Sequence, residues 1–184
     1  MFYEFFPEAD GSSWHLDEFV DADGAEVDAR IFTAARRVAV NGPLRCRISC
    51  IGRMTDLTFG PFFVPVASRA LSRQLAALAP RDLELIPLVV EGSTEAFDIV
   101  NVLPRLDALD EDRTVGGRWP DTPSKADEWL YVAHAALKPG MVADHSMFRV
   151  RGPLASFFCS EHVREVLMPQ EWTGFVFRST LPGA

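Results

Sequence analysis

Residues 97–114 read Phe97-Asp98-Ile99-Val100-Asn101-Val102-Leu103-Pro104-Arg105-Leu106-Asp107-Ala108-Leu109-Asp110-Glu111-Asp112-Arg113-Thr114. The stretch opens as a strand, because Phe97, Ile99, Val100 and Val102 are aromatic or β-branched and suit a pleated, half-buried surface. Pro104 has no amide hydrogen, so the strand ends, bulges or becomes an edge there. The chain then turns acidic. Asp107, Asp110, Glu111 and Asp112 face only Arg105 and Arg113 within the segment. An apolar strand that delivers carboxylates to a surface is a site-like arrangement. It is also what an ordinary strand end looks like, since acids avoid burial.

The flanking sequence carries further strand signals. Leu44 to Ile51 alternates, with Leu44, Cys46, Ile48 and Cys50 on one face and Arg45, Arg47 and Ser49 on the other. Phe2–Phe6, Trp14–Val20, Leu57–Phe59, Leu83–Val90, Met147–Val150 and Phe175–Arg178 also read as strands. Turn formers at Asp10-Gly11-Ser12-Ser13 follow the first, and Pro87 marks the fourth as an edge or bulge. Ser68 is a good N-cap for a helix over Arg69–Ala79, where Leu71, Leu75 and Leu78 repeat at helical spacing until Pro80 stops it. The span 128–137 carries two signals. Its alanines and the Pro123-Ser124 start favour helix; Trp129-Leu130-Tyr131-Val132 favours strand.

About eight strand signals against two clear helices predict an α+β fold: a mixed or mainly antiparallel sheet with two or three short helices packed on it. At 184 residues the chain suits a single domain over 1–184, with 1–92 and 93–184 as possible halves. A repeat relates those halves. Gly60-Pro61 precedes Ser68 at the spacing at which Gly152-Pro153 precedes Ser160, an offset of 92 residues. In that register Leu71 meets Val163, Leu75 meets Leu167, and Leu83 and Leu85 meet Phe175 and Phe177, so each unit would be an extended segment, a helix capped by Ser68 or Ser160, and a returning strand. Duplication and chance recurrence of a common motif both account for it.

Composition narrows the function. The chain is 48% apolar, which supports a packed core. Residues 1–29 hold nine acids and no Lys or Arg, while the rest holds seventeen acids and eighteen bases, so the net charge of −8 resides at the N-terminal end. That end repels nucleic acid. Asp17, Glu18, Asp21 and Asp23 would speed association with a basic protein, or serve only as a solvated loop. No apolar run has membrane-spanning length, and Met1-Phe2-Tyr3-Glu4 lacks the basic start of a secretory signal. Three cysteines without a signal peptide point to reduced thiols in the cytoplasm. Cys46 and Cys50, roughly 13 Å apart on a strand, cannot pair and read as core residues.

No catalytic constellation is legible. His15, His134, His145 and His162 have no ligand spacing, and no nucleophile elbow, phosphate loop or dinucleotide fingerprint occurs. Asp21-Ala22-Asp23-Gly24 fails as a calcium loop, because Phe19 and Arg30 fall on its first and last ligand positions. Cys159 in Phe157-Phe158-Cys159 reads as a buried, inert thiol. The expectation is therefore no cofactor, no metal and no enzymatic activity. The Gly/Pro-rich connection Val115–Pro123 carries Trp119, a large ring suited to anchoring a partner.

Asn101-Val102-Leu103 followed by Asp107-Ala108-Leu109-Asp110-Glu111 resembles the central motif of a bacterial immunity-protein family, number eleven in the series attached to polymorphic toxin systems. Met147-Phe148-Arg149-Val150, Phe157-Phe158-Cys159-Ser160-Glu161 and Thr173-Gly174-Phe175-Val176-Phe177 resemble its closing motif, and Val66-Ala67-Ser68 fits its middle segment. Thr114 stands where that pattern has Ser, which bears on a local cap or turn. The resemblance tips 128–137 to strand. It implies a cytoplasmic protein that binds and neutralises a cognate toxin by stoichiometric occlusion, with no nucleic-acid or membrane partner. The alternative is a small-molecule-binding or enzymatic α+β domain with a dispersed site.

Overall fold

The computed structural model describes residues 1–8, 14–119, 129–152 and 157–181. The turn expected at Asp10–Ser13, the Pro123-Ser124 helix start and Pro153 lie outside them. The fold class departs from the expectation. The structure is mainly β, 44% strand and 18% helical, and not α+β. The α-helices are short, at ten, four and seven residues: α1 Arg69–Leu78, α2 Pro139–Val142 and α3 Glu161–Leu167. Meanwhile several segments without a strand signal of their own, such as Glu26–Val27, Arg105–Leu106 and Val115–Arg118, become strands by pairing with neighbours.

The strands, in chain order, are β1 Phe2–Pro7, β2 His15–Leu16, β3 Phe19–Val20, β4 Glu26–Val27, β5 Leu44–Cys46, β6 Ile48–Cys50, β7 Leu57–Gly60 and β8 Val64–Ser68. There follow β9 Leu83–Val90, β10 Phe97–Val102, β11 Arg105–Leu106, β12 Val115–Arg118, β13 Trp129–His134, β14 Met147–Val150, β15 Phe157–Ser160 and β16 Phe175–Ser179. A seven-stranded sheet, β4-β3-β5-β9-β10-β8-β7, curls into a half-barrel. A five-stranded sheet runs β11-β14-β15-β1-β16. The segment 129–134 is the strand β13, paired with β12.

Both large sheets are built on one plan. β8, α1 and β9 form a β–α–β crossover, and β10 is inserted antiparallel between its two strands. β15, α3 and β16 form a second crossover, and β1 is inserted antiparallel between them. The registers agree. Val100 pairs with Leu85, and Phe5 pairs with Phe177, 92 positions later. Phe97 pairs with Ser68, and Phe2 with Ser160. The hydrogen bonds at the helix starts repeat as well: Ser68 N to Asp56 O at 2.7 Å and Ser160 N to Ser146 O at 2.8 Å, then Arg69 N to Ala96 O at 2.8 Å and Glu161 N to Met1 O at 2.9 Å. The 92-residue offset seen in the sequence is thus a repeat of topology, register and hydrogen bonding.

Three cores follow from this plan. The central one lies between the sheets and contains both helices, with Leu71, Leu75, Val163 and Leu167 meeting Val100, Val102, Phe5 and Phe157. The second covers the other face of the seven-stranded sheet with Trp14, Phe19 and Phe32 from the N-terminal region. The third covers the other face of the five-stranded sheet with Leu109, Trp129, Val132 and Val142. β10 is therefore buried at all six positions: Phe97 and Ile99 enter the second core, Val100 and Val102 the central one.

Asp98 and the Asn101 amide nitrogen find partners, whereas Asn101 Oδ1 is buried without a donor among the described residues. Asp98 accepts from Ser72 Oγ at 2.6 Å and Arg69 Nη2 at 3.0 Å. Asn101 donates through Nδ2 to Arg36 O and to Glu84 Oε2, each at 2.9 Å, and the same Glu84 oxygen accepts from Val38 N at 3.0 Å. This network ties residues 36–38 to the sheet. β10 ends before Pro104, as its missing amide requires. Pro87 lies where β9 has a neighbour on one side only, because β5 pairs β9 through Leu88–Val90.

The strand expected over Leu44–Ile51 is split. β5 pairs β9 in the large sheet, whereas β6 leaves it to pair β2. Cys46 stays buried but Cys50 is exposed, which corrects its reading as a core residue.

Ser68 and Ser160 cap α1 and α3, accepting from Leu71 N at 3.4 Å and Val163 N at 3.5 Å. Ser68 also donates to Asp56 Oδ1 at 3.1 Å. Ser68→Ala should therefore cost about 1–2 kcal/mol and Ser160→Ala, with one long bond, about 0.5 kcal/mol. Urea unfolding of the two variants checks the order.

Candidate partner-binding surface

The β7–β8 hairpin closes in three residues, Pro61-Phe62-Phe63, between the paired Gly60 and Val64. So tight a reversal of right-twisted strands calls for left-handed backbone, normally supplied by Gly or Asn. Here Phe62 and Phe63 adopt it, at φ 55° and 56°. For a bulky L-residue that conformation costs roughly 1–2 kcal/mol. Burial does not repay it, because Phe62 is 47% and Phe63 53% exposed. Gly60 seats the loop: a Cβ there would stand 2.5 Å from Phe19 Cζ, so only glycine lets β7 cross that ring.

Beside the loop lies a groove of about 460 Å³ lined by Glu18, Glu26, Asp28, Arg30 and Phe62. The elements that place these groups are the β3–β4 hairpin and the 3-10 helix Ala29–Thr33, which Asp28 caps by accepting from Arg30 N at 3.0 Å. The Arg30 Nε donates to Asp28 Oδ1 at 2.9 Å, and its guanidinium lies 5.2 Å from the Phe62 ring centroid. Arg30 holds the Asp28 carboxyl below the usual carboxylate range. Glu18 and Glu26 pair with no cation among the described residues. The Glu18 carboxyl is pushed up, chiefly by its hydrogen bond to Asp17 and the charge there, with Glu26 adding to the effect. Uncompensated acids beside two exposed aromatic rings suit a partner that carries basic groups around an apolar centre.

The sequence-predicted residues fall into two groups. Glu18 lines the groove, and Asp17 beside it is exposed. Asp21 and Asp23 shape the β3–β4 turn. Asp21 Oδ1 accepts from Asp23 N and Ala25 N, each at 2.9 Å, and Asp23 Oδ2 accepts from Asn41 Nδ2 at 2.9 Å. Asp107, Asp110, Glu111 and Asp112 lie instead on the layer over the five-stranded sheet, next to Ala108 and Leu109 of the third core. There Asp110 O accepts from Thr114 N at 2.8 Å, and Glu111 meets Arg118 at 3.2 Å. Trp119, 36% exposed, belongs to this second group. Thr114 is buried and exchanges hydrogen bonds with Ala136 N and O, each at 3.2 Å, a role its hydroxyl performs as serine's would.

Phe62, Phe63, Glu26 and Asp28 were not singled out in the sequence as a site. The signal for the two rings was present: Gly60-Pro61-Phe62-Phe63 between two strand patterns leaves phenylalanines where a turn requires φ above zero.

Elsewhere, His145 Nδ1 meets Asp82 Oδ1 at 2.9 Å, and Asp82 Oδ2 accepts from Ser146 N and Met147 N at 2.7 and 3.0 Å. No hydroxyl or thiol among the described residues bonds to His145, so this pair reads as a structural clamp at the start of β14. Burial pushes the Cys46 thiol up to about 12 and the Cys159 thiol higher still. Among the described residues no cluster of His, Cys, Asp or Glu could hold a metal ion, and no helix is long and apolar enough to cross a membrane.

Two outcomes follow. Phe63→Asn, which accepts the left-handed conformation more readily, should raise the unfolding free energy by about 0.5–1 kcal/mol in denaturant titration while removing an exposed ring. At pH 8, iodoacetamide should alkylate Cys50 in the folded protein and reach Cys46 and Cys159 only after unfolding, as mass spectrometry would read.

No known family model matches the chain, and no curated protein is similar to it in sequence.

Proposed function

We propose that this chain is a cytoplasmic immunity protein that binds a cognate toxin and blocks it by stoichiometric occlusion, without turnover. The observation that carries the reading is the Phe62-Phe63 hairpin. Two large rings are held exposed at a conformational cost, beside Glu18 and Glu26, which pair with no cation among the described residues. Strain of this kind persists where a function repays it. The sequence resemblance to the immunity family supports the same reading through segments that build β8, β10, β15 and β16. Occlusion needs fast encounter and slow release. The acidic N-terminal region favours the first by electrostatic steering, and an aromatic anchor in a basic-rimmed pocket of the toxin favours the second.

The test is an in vitro titration of toxin activity, with the toxin taken from the neighbouring open reading frame. Inhibition should saturate at a fixed molar ratio. Protection at strongly substoichiometric amounts, with the toxin or its product chemically altered, would show an enzyme and overturn the reading. With Asp17→Asn, Glu18→Gln and Glu26→Gln combined, the association rate should fall and lose most of its salt dependence. Phe63→Asn should act mainly on dissociation, speeding it roughly tenfold or more.

A further inference from the structure

β16 ends the five-stranded sheet, with β1 on one side only. In an antiparallel ladder the backbone groups of alternate residues point to the neighbouring strand, and those in between point away. Gly174 O accepts from Glu8 N at 3.1 Å and Thr180 N donates to Phe2 O at 3.4 Å, so the even-numbered residues face β1. Phe175, Phe177 and Ser179 therefore turn their amides and carbonyls outward. Among the described residues nothing bonds to those groups. Val176, between them, is 46% exposed, and Ser179 is exposed too.

This open row has closed ends. Thr173 O accepts from Leu57 N at 3.1 Å, and Leu181 N donates to Ala135 O at 2.7 Å. Each flanking segment stands about 4.8 Å out from β16, one strand spacing, and the slot between them is roughly 20 Å long, room for about six extended residues. The other unit has the same flank. Val89 pairs with Arg45 of β5, and Leu181, 92 positions later, bridges to Ala136. One difference separates the two edges. The preceding outward position on β9 is Pro87, which has no N–H to offer, whereas β16 has Ser179 there. Proline is one device that keeps an edge from pairing, and shortness, as in the two-residue edge strands β4 and β11, is another. β16 has neither.

A strand laid in the slot would have one apolar face. Its residues opposite Phe175 and Phe177 share their side of the sheet, beside a groove of about 330 Å³ lined by Leu167, Met168, Phe175 and Phe177 among others. A second copy of β16 does not fit. It brings the same two flanks, which meet those of the first copy before the strands reach pairing distance. A short extended segment carries no such flanks. We propose that β16 takes up an extended segment of a partner protein, about six residues long, as a sixth strand of the sheet, with apolar side chains at alternate positions entering the groove. The partner need not be a toxin.

The experiment uses the ¹⁵N-labelled full chain. In the free protein the amides of Phe175, Phe177 and Ser179 should exchange with solvent quickly at low and high protein concentration, while those of Val176 and Arg178 are protected by β1. The chain is then titrated with acetylated, amidated hexapeptides that alternate an apolar residue (Val, Ile, Leu or Phe) with Thr between terminal lysines. At least one should shift the three outward amides saturably, with a Kd of roughly 1 mM or tighter, and slow their exchange. N-methylation of the alternate peptide nitrogens that face β16 should weaken that binding roughly tenfold or more, and methylation of the other set should leave it largely intact. Ser179→Pro, which copies Pro87, should weaken it similarly. Three outcomes overturn the proposal: protection of the outward amides in the free protein, no saturable shift from any peptide by about 10 mM, or equal effects of the two methylated sets. All three are read on the unaltered protein, so the variant's folding does not decide the matter.

Discussion

The architecture depends on two strands that cannot form alone. β10 and β1 are each inserted antiparallel between the two strands of a crossover; β1 pairs sequence-distant segments on both edges, and β10 pairs the preceding β9 on one edge and the more distant β8 on the other. β10 also carries side chains into cores on both faces. Such a strand is stable only when both flanking strands and both covering layers are in place. This makes the fold cooperative across most of the chain. The same layers supply partners to the polar groups inside β10: Asp98 accepts from two side chains of α1, and the Asn101 amide nitrogen donates to β9 and the Arg36 segment.

The two units are joined by carboxylates at related positions. Asp82, between α1 and β9, accepts from the amides that begin β14. Asp56, before β7, accepts from Thr173 N at 3.0 Å and Thr173 Oγ1 at 2.8 Å, in the segment between α3 and β16. Each clamp links the end of one crossover helix to the start of the other unit's first strand. At the second clamp Gly174, at φ 93°, comes so close to Leu57 O that a side chain would collide with it. The repeat therefore holds where the units meet, while the crossover helices differ in length, α3 ending at Leu167 where α1 runs on to Leu78.

The exposed hairpin rings carry the functional argument. A sheet scaffold does not need phenylalanines in left-handed backbone at φ 55° and 56°. They oppose stability locally and lie at the surface, where substitution could have removed them. The acidic groups add direction. Glu18 and Glu26 concentrate negative charge beside Phe62, while the acids at 107–112 are taken up in part by turn geometry and by Arg118.

The sequence by itself determined the local elements. Alternation and β-branching marked β5, β9 and β10, and Ser68 and Ser160 marked the two capped helices. Pro104 marked the end of β10, and the matching spacing of Gly-Pro, Ser and the following apolar pairs marked the repeat. These signals were legible because they depend on residues within a few positions of one another. Tertiary structure decided what depends on distant partners. It split Leu44–Cys50 between two ladders and so exposed Cys50. It turned short polar segments into strands and the overall class into mainly β. It separated the nine candidate residues onto two layers, and it brought Glu18, Glu26 and Asp28 to Phe62. Backbone hydrogen bonding in a sheet is satisfied by any chain at the right distance, whatever its side chains. That indifference to side-chain identity is why pairing, and the surface built on it, could not be read along the chain.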